Sequence, residues 1–209
     1  QYLFDEEKIY IEDEEGVSVN DIQEAINHFK AFDYILDNCN ESLTTDMIKK
    51  IHYLIKQNTS DAKNPLTPIG EFKKVENIIG SLSPTSTAPP EKVEGELAKL
   101  LTQYENKGSI TLEDIVEFHH KFEKIHPFAD GNGRVGRLIA FKECLRAGIV
   151  PAIILDKYRH FYLIGLKEYD EGSKERLLDT FKTGQDYSNL ILNQMNFQSE
   201  VNKRATEKT

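Results

Sequence analysis

A chain of 209 residues with 39% hydrophobic content is long enough to bury one sizeable core, and no apolar run approaches the ~18 residues of a membrane span. The formal net charge of -9 opposes a polyanionic partner, because nucleic-acid affinity rests on Lys and Arg displacing counterions from phosphates; DNA and RNA are set aside. Cys39 and Cys144 form neither a close pair nor a metal-finger spacing with histidine, which reads as reduced thiols in a cytoplasmic protein.

Residue 1 is Gln and no basic leader with an apolar stretch opens the chain, so the native N-terminus is expected upstream. Residues 1–19 read as an acidic, weakly patterned N-terminal extension. From 19 to 36, Ile22, Ile26, Phe29, Phe32, Ile35 and Leu36 recur at helical spacing and predict an amphipathic helix that buries this set. Thr44 or Thr45 caps a second helix carrying Ile48, Ile51, Leu54 and Ile55, which ends near Asn58. Residues 64–90 contain Pro65, Pro68, Pro84, Pro89 and Pro90 with Gly70 and Gly80, which excludes a continuous helix. Within them 72–79 are expected to form a short strand or hairpin in an ordered surface loop. An interdomain linker is the alternative, but the apolar Phe72, Val75, Ile78 and Ile79 argue against pure disorder.

Helical pattern resumes over 91–104. A further helix begins at Thr111, lines Leu112, Ile115, Phe118, Phe122 and Ile125 on one face, and must end at His126, because Pro127 disfavours helical geometry in the residue before it. The next helix starts at Asn132 or Gly133, buries Val135, Leu138, Ile139 and Leu145, and stops at Gly148 with Pro151 just beyond. Helical patterns follow over 157–169, 174–182 and 187–197, and 203–209 read as a frayed, solvated tail. There is no internal repeat or heptad series.

The segment between the two central helices reads His126-Pro-Phe-Ala-Asp-Gly-Asn-Gly-Arg-Val-Gly-Arg137. Its residue types suit polyphosphate chemistry. Gly131 and Gly133 permit positive φ and close approach, so that backbone N–H groups of the Gly131-Asn132-Gly133 turn converge on an anion, and the following helix adds its positive N-terminal end. Arg134 and Arg137, three apart, share a face and offer forked contacts to phosphate oxygens. Asp130 is a hard oxygen donor of the kind Mg²⁺ accepts alongside water and phosphates. His126, with an ordinary pKa of about 6.5, is competent to take a proton from a hydroxyl near neutral pH. A plain glycine turn with a capping Asn and solvated arginines is the bland alternative for Asp-Gly-Asn-Gly alone; the flanking His and the two spaced Arg outweigh it.

The segment resembles the motif of the Fic domain family, His-Pro-Phe-x-Asp-Gly-Asn-Gly-Arg-x-x-Arg, at every fixed position, and the likeness extends over roughly 20–185, the final 186–209 being a C-terminal helix and tail. His119, Phe122 and Ile125 before the motif, 147–151 after it, and Arg159, Tyr162 and Leu166 also look like family positions. The resemblance implies an all-α helical bundle with a small β-hairpin flap at about 70–88, and transfer of AMP from ATP to Ser, Thr or Tyr of a target protein. It also implies His126 as base, Asp130 as the Mg²⁺ ligand, Gly131, Asn132 and Gly133 as the anion hole, and Arg134 and Arg137 as phosphate holders. Tyr162 would lie beside the nucleoside, and Ile78, Ile79, Gly80 and Ser81 of the flap would border the nucleotide while the target pairs along the hairpin. Asp170 stands where some members have an Asn near the adenine, which leaves base contacts open.

Many members carry an inhibitory helix of pattern Ser/Thr-x-x-x-Glu-Gly/Asn. No full match occurs here, and because 24–28 resemble the stretch that follows such a helix, it is expected upstream of residue 1, leaving this chain to label itself or a target unaided. Transfer of another nucleotide, removal of AMP, and a non-catalytic nucleotide-binding adaptor are the competing readings; Gly-Asn-Gly and the intact His126 speak against the kinase-like and adaptor forms. A Walker loop and a kinase His-Arg-Asp segment do not occur. His119 is expected to be a core histidine with a hydrogen-bond partner rather than a transition-metal ligand; His28, His52 and His160 are assigned packing or surface roles, and Cys144 is a small buried hydrophobe. Homo-oligomerisation is left open.

Overall fold

A computed structural model describes residues 19–59, 62, 64–79 and 85–206. Its order is α1 (Val19–Asp37), α2 (Thr45–Lys56), β1 (Ile78–Ile79), β2 (Thr85–Ser86), α3 (Pro90–Glu105), α4 (Leu112–Ile125), α5 (Asn132–Arg146), a 3₁₀ turn (Asp156–Tyr158), α6 (Arg159–Asp170) and α7 (Glu175–Thr206). Helix starts follow local chemistry. Thr44 accepts the Met47 N–H at the head of α2, and Thr111 and Asp114 form a reciprocal capping box at the head of α4. Pro at the first position of α3 has no N–H to leave unpaired.

The antiparallel pair α4 and α5 forms the centre, with α1 and α2 against one side, α3 against α4, and α6 folded back on α7, which in turn packs on α4. Ile48, Ile51, Ile55, Leu97, Ile115, Phe122, Leu138 and Ile139 are buried together between these helices. The result is the helical bundle expected, with one small hairpin: β1 and β2 are antiparallel, Ile78 opposite Ser86 and Ile79 opposite Thr85. Gly80 and Ser81 lie outside the described residues, as do 1–18. No helix among the described residues is long and apolar enough to cross a membrane.

Two expectations about individual helices are corrected. In α1 the buried side is Asn27, His28, Ala31 and Ile35, while Ile22, Ile26, Phe29 and Leu36 are 44–60% exposed. The rotation has a polar cause: the Asn27 amide donates to the carbonyls of Ile55 and Gln57 at the C-terminal end of α2, satisfying acceptors that an apolar side chain would leave bare. In α7 the two expected helices are one, running through Gly184 without a break. Gly184 is there for contact rather than for a bend. The extended segment after α5 lies directly on it, with Ile153 N–H bonded to its carbonyl at 3.3 Å.

A Cβ at Gly184 would stand 2.9 Å from the Ile153 carbonyl oxygen and 3.0 Å from its nitrogen, both backbone atoms that cannot swing aside. Ala normally stabilises a helix interior over Gly by about 1 kcal/mol. Here overpacking of about 1–3 kcal/mol opposes and outweighs that gain. Gly184→Ala is therefore expected to lower the urea midpoint; a raised midpoint would show that the segment yields.

Candidate active site at the turn between the central helices

The turn from α4 to α5 is a reversal in which every residue is held. His126 ends α4 in the left-handed region, φ 52° and ψ 62°, with its N–H still bonded to the Phe122 carbonyl at 2.9 Å. A left-handed non-glycine residue costs about 1–2 kcal/mol. Phe128, fully buried, supplies the offsetting burial: it stacks on His52 of α2 at 3.9 Å and lies 5.9 Å from Phe72. The Asn132 side chain accepts the Phe128 N–H and donates to the Phe128 carbonyl, both at 2.8 Å, so the loop is closed like a ring. Gly131 then takes φ 79° and α5 begins, its first internal bond running from Val135 N–H to Gly131 carbonyl. The N–H groups of Asn132, Gly133 and Arg134 precede that bond and form the positive mouth of a 15-residue helix.

Only Gly131 of the two motif glycines has positive φ; Gly133 is helical, so the nest expected of both is corrected to one left-handed residue followed by a helix start. The Asn132 side chain is buried and bonded to Phe128, which leaves its backbone N–H as the group that points to the helix mouth. A third glycine, Gly136, matters by contact: a Cβ there would meet Glu123 Oε1 at 2.5 Å and the His119 ring at 3.1 Å, so a larger residue would displace the Glu123 carboxylate and press on the His119 ring.

His126 is largely buried, and its Nδ1 lies 3.2 Å from the Glu123 carbonyl. A carbonyl can only accept, so Nδ1 carries the proton and Nε2 keeps the lone pair. Burial lowers the His126 pKa to about 4; the Glu123 hydrogen bond opposes this, the Lys73 charge adds to it, and Asp130 opposes it. The imidazole is a neutral acceptor over the physiological range.

Four charges from three parts of the chain meet beside this turn. Asp130 Oδ2 takes Lys56 at 2.6 Å and Arg134 at 3.3 Å, while Glu24 of α1 pairs with Lys56 at 3.2 Å and with Arg134 at 2.7 Å. Lys56 is 3% exposed, so its ammonium is held between the two carboxylates, whereas Asp130 keeps 57% of its side-chain surface open. Burial pushes the Asp130 pKa up, and the hydrogen bond and charge of Lys56 with the charge of Arg134 more than reverse this. The carboxylate is thus ionised, oriented through one oxygen and accessible, which fits a hydrated divalent cation that also binds phosphate oxygens.

Arg134 and Arg137 were expected on one face; their partners lie on different helices. Arg137 is half-buried with its guanidinium carbon 5.8 Å from the Tyr162 ring of α6, and the Tyr162 hydroxyl is 2.7 Å from His119 Nε2. Tyr162 is 4% exposed and backs Arg137 from the core side. Burial first, then the Arg137 charge, lowers the His119 pKa to about 3, so His119 is the neutral core histidine expected. Asp170 ends α6 in contact with Lys124 at 2.8 Å and His120 at 3.1 Å, an ion-paired position. The backbone of Ile78 and Ile79 forms β1, the strand nearest in sequence to the residues that contact the turn. No cluster of three or more His, Cys, Asp or Glu that could hold a metal ion occurs among the described residues.

Sequence reasoning missed Glu24, Lys56, Lys73 and the part played by His52. His52 accepts the Gly70 N–H at Nδ1, 3.0 Å, and donates from Nε2 to the Asp130 carbonyl, 3.2 Å. One signal was available: His52 and Lys56, four apart, share the face of α2 that carries Ile48 and Ile55, an unusual place for a charge unless it is paired.

A helical bundle whose central turn presents a neutral imidazole, an exposed carboxylate, a helix N-terminus and two arginines has the donor set that phosphate groups require. Residues 42–143 match the Fic/DOC family, and this segment of the chain is a domain of that family. The chain is similar to a protein adenylyltransferase Fic of Culex quinquefasciatus, 29% identical over 168 residues, 76% of this chain and 31% of that protein. It is likewise similar to one of Drosophila yakuba, 32% identical over 170 residues, again 76% and 31%. The chain thus spans about a third of the length of the curated relatives it matches. Among solved structures, C. elegans Fic-1 (residues 134–508) superposes with TM-score 0.73 at 20% identity, covering 88% of this chain and 54% of that one. A Fic-domain signalling protein of Bacteroides thetaiotaomicron gives TM-score 0.68 at 23% identity, covering 86% and 72%.

Burial lowers the folded pKa of three histidines from 6.5: His52 to about 4, His119 to about 3 and His126 to about 4. Their stabilisation is complete above the unfolded value and is lost as pH falls from about 6.5 through 4, because the unfolded chain binds protons that the folded one refuses. The slope is about 1.4 kcal/mol per pH unit for each proton of difference. Urea unfolding is expected to show a midpoint that falls steeply between pH 6.5 and 4; a flat profile would contradict the neutral assignment.

Proposed function

We propose that the chain is a protein adenylyltransferase: it transfers AMP from ATP to a Ser, Thr or Tyr hydroxyl of a target protein, or of itself, and releases pyrophosphate. The observation that carries this reading is the fixed tautomer of His126, whose Nδ1 is tied to the Glu123 carbonyl so that Nε2 alone can receive a proton beside a helix N-terminus. The printed names of the relatives, protein adenylyltransferase Fic, support the same reaction.

In this mechanism the acceptor hydroxyl gives its proton to His126 Nε2 as its oxygen attacks the α-phosphorus. The bond between that phosphorus and the bridging oxygen breaks in line, and pyrophosphate departs. The N–H groups of Asn132, Gly133 and Arg134 face phosphate oxygens, and Arg134 and Arg137 hold the leaving group. A base with a pKa of about 4 is a weak one, but phosphates arriving beside His126 bring negative charge that offsets Lys73 and burial, raising its affinity for the proton when substrate is bound. Asp130 is the residue that would hold Mg²⁺, which would supply positive charge to the phosphates when bound; Lys56 and Arg134 keep the carboxylate aimed. The acceptor segment lies along the hairpin through main-chain hydrogen bonds, a mode that fixes a loop without demanding its side chains. Cys39 and Cys144 as free thiols support the reducing, cytoplasmic setting proposed for it.

The test is labelling of the chain and of lysate proteins with each of four α-labelled nucleoside triphosphates, for wild type and His126→Ala. ATP alone is expected to label, and His126→Ala to reduce labelling about 10²–10⁴-fold with ATP affinity nearly unchanged. Preferential labelling by another nucleotide would redirect the substrate assignment, and undiminished labelling by His126→Ala would remove the histidine as base.

A further inference from the structure

Lys73 is a lysine where a charge is least expected, 2% exposed between the hairpin and the end of α4. Its three ammonium protons meet three acceptors: Asn77 Oδ1 at 2.7 Å, Thr87 Oγ1 at 2.6 Å and the Ile125 carbonyl at 3.5 Å. Asn77 immediately precedes β1 and Thr87 immediately follows β2, so the ammonium joins the two stems of the hairpin. Thr87 Oγ1 also lies 2.9 Å from the Asn77 carbonyl, closing the stems on each other.

The same residues grip the turn that carries His126. Lys73 N–H donates to the Pro127 carbonyl at 2.9 Å, and the Asn77 amide donates to the carbonyls of Phe128 and Ala129 at 3.0 and 3.5 Å. With Ile125, four carbonyls surrounding His126 in sequence therefore end on Lys73 and Asn77. We propose that Lys73, Asn77 and Thr87 form a positioning cluster that locks the hairpin to the backbone on either side of His126, so that an acceptor segment lying on the hairpin presents its hydroxyl at a set distance from the imidazole. The cluster acts through backbone and touches no reacting atom. Burial lowers the Lys73 pKa to about 8, so it remains mostly charged at neutral pH while being nearer to release than a surface lysine.

The inference rests on the transfer reading for its catalytic consequence, but the mechanical coupling can be measured without any turnover. Thr87→Val removes the hydroxyl and keeps the shape; Thr87→Ser keeps the hydroxyl; Lys73→Met removes the ammonium. Amide hydrogen exchange in the 209-residue chain is expected to rise about tenfold or more over 73–79 and 85–87 in Thr87→Val and Lys73→Met, with α3 and the middle of α5 unchanged and Thr87→Ser close to wild type. In self-labelling with α-labelled ATP, the rate at saturating ATP is expected to fall about 10–100-fold in Thr87→Val while the half-saturating ATP concentration moves less than about threefold, since small misplacements of an acceptor act on rate. Unchanged exchange in both Thr87→Val and Lys73→Met would overturn the inference whatever the activity. So would exchange that rises equally throughout the chain, or a loss in labelling that tracks ATP affinity. Absence of labelling in the wild type would instead strike the transfer reading and leave the coupling to be decided by exchange alone.

Discussion

The whole arrangement depends on driving Phe128 into the core while Asp130, two residues on, stays exposed. Between Ile125 and Asn132 the chain must leave one helix, reverse and enter another, and along that path an imidazole and a carboxylate have to face outward. Burying an aromatic ring midway fixes the depth of the loop, and stacking His52 on that ring fixes its rotation. The Asn132 amide then ties the ring's own backbone to the next helix. Strain at His126 is tolerated because these contacts over-determine the path; a left-handed residue without them would relax into ordinary helix or extended chain.

Around this pinned turn the electrostatics divides into two sides. On one, Glu24, Lys56, Asp130 and Arg134 form a closed ring of alternating charge in which each cation meets two carboxylates. On the other, Arg137 backs onto Tyr162 and His119, where burial keeps the imidazole neutral. Truncating Lys56 would leave Glu24 and Asp130 joined only through the more exposed Arg134, without the buried charge between them. Its members come from α1, α2, the turn and the first turn of α5, which makes the orientation of Asp130 a property of the packed bundle rather than of the loop.

Most of the helices and the position of the site were legible in the sequence for physical reasons that can be named. Thr111 with Asp114 and Pro127 bracket α4 by local chemistry alone, and the apolar spacing of α2 and α4 needs no tertiary information. The side of α1 that is buried was not legible, because Asn27 is drawn inward by two carbonyls at the end of α2 and four of the six apolar residues turn toward solvent. The interruption expected between 182 and 187 is continuous helix, and the contact that calls for Gly184 there, with Ile153, is remote in the chain. In the site, the residue types of 126–137 pointed to phosphate, and their order placed the helix mouth. The partners that set charge and orientation, Glu24, Lys56 and Lys73, are distant in sequence and look like ordinary surface residues until the fold brings them in.

The tie between Glu24 and Arg134 also separates two meanings of a domain boundary. The segment that matches the Fic/DOC family begins at residue 42, yet α1 lies wholly before that point and supplies both a carboxylate of the charge ring and the Asn27 amide that finishes α2. At the other end, Leu177 and Phe181 of α7 belong to the same core although the matched segment stops at 143. The segment that defines the family is therefore smaller than the unit held together by packing, and a piece cut at its edges would retain the motif's letters while losing the walls that shape them.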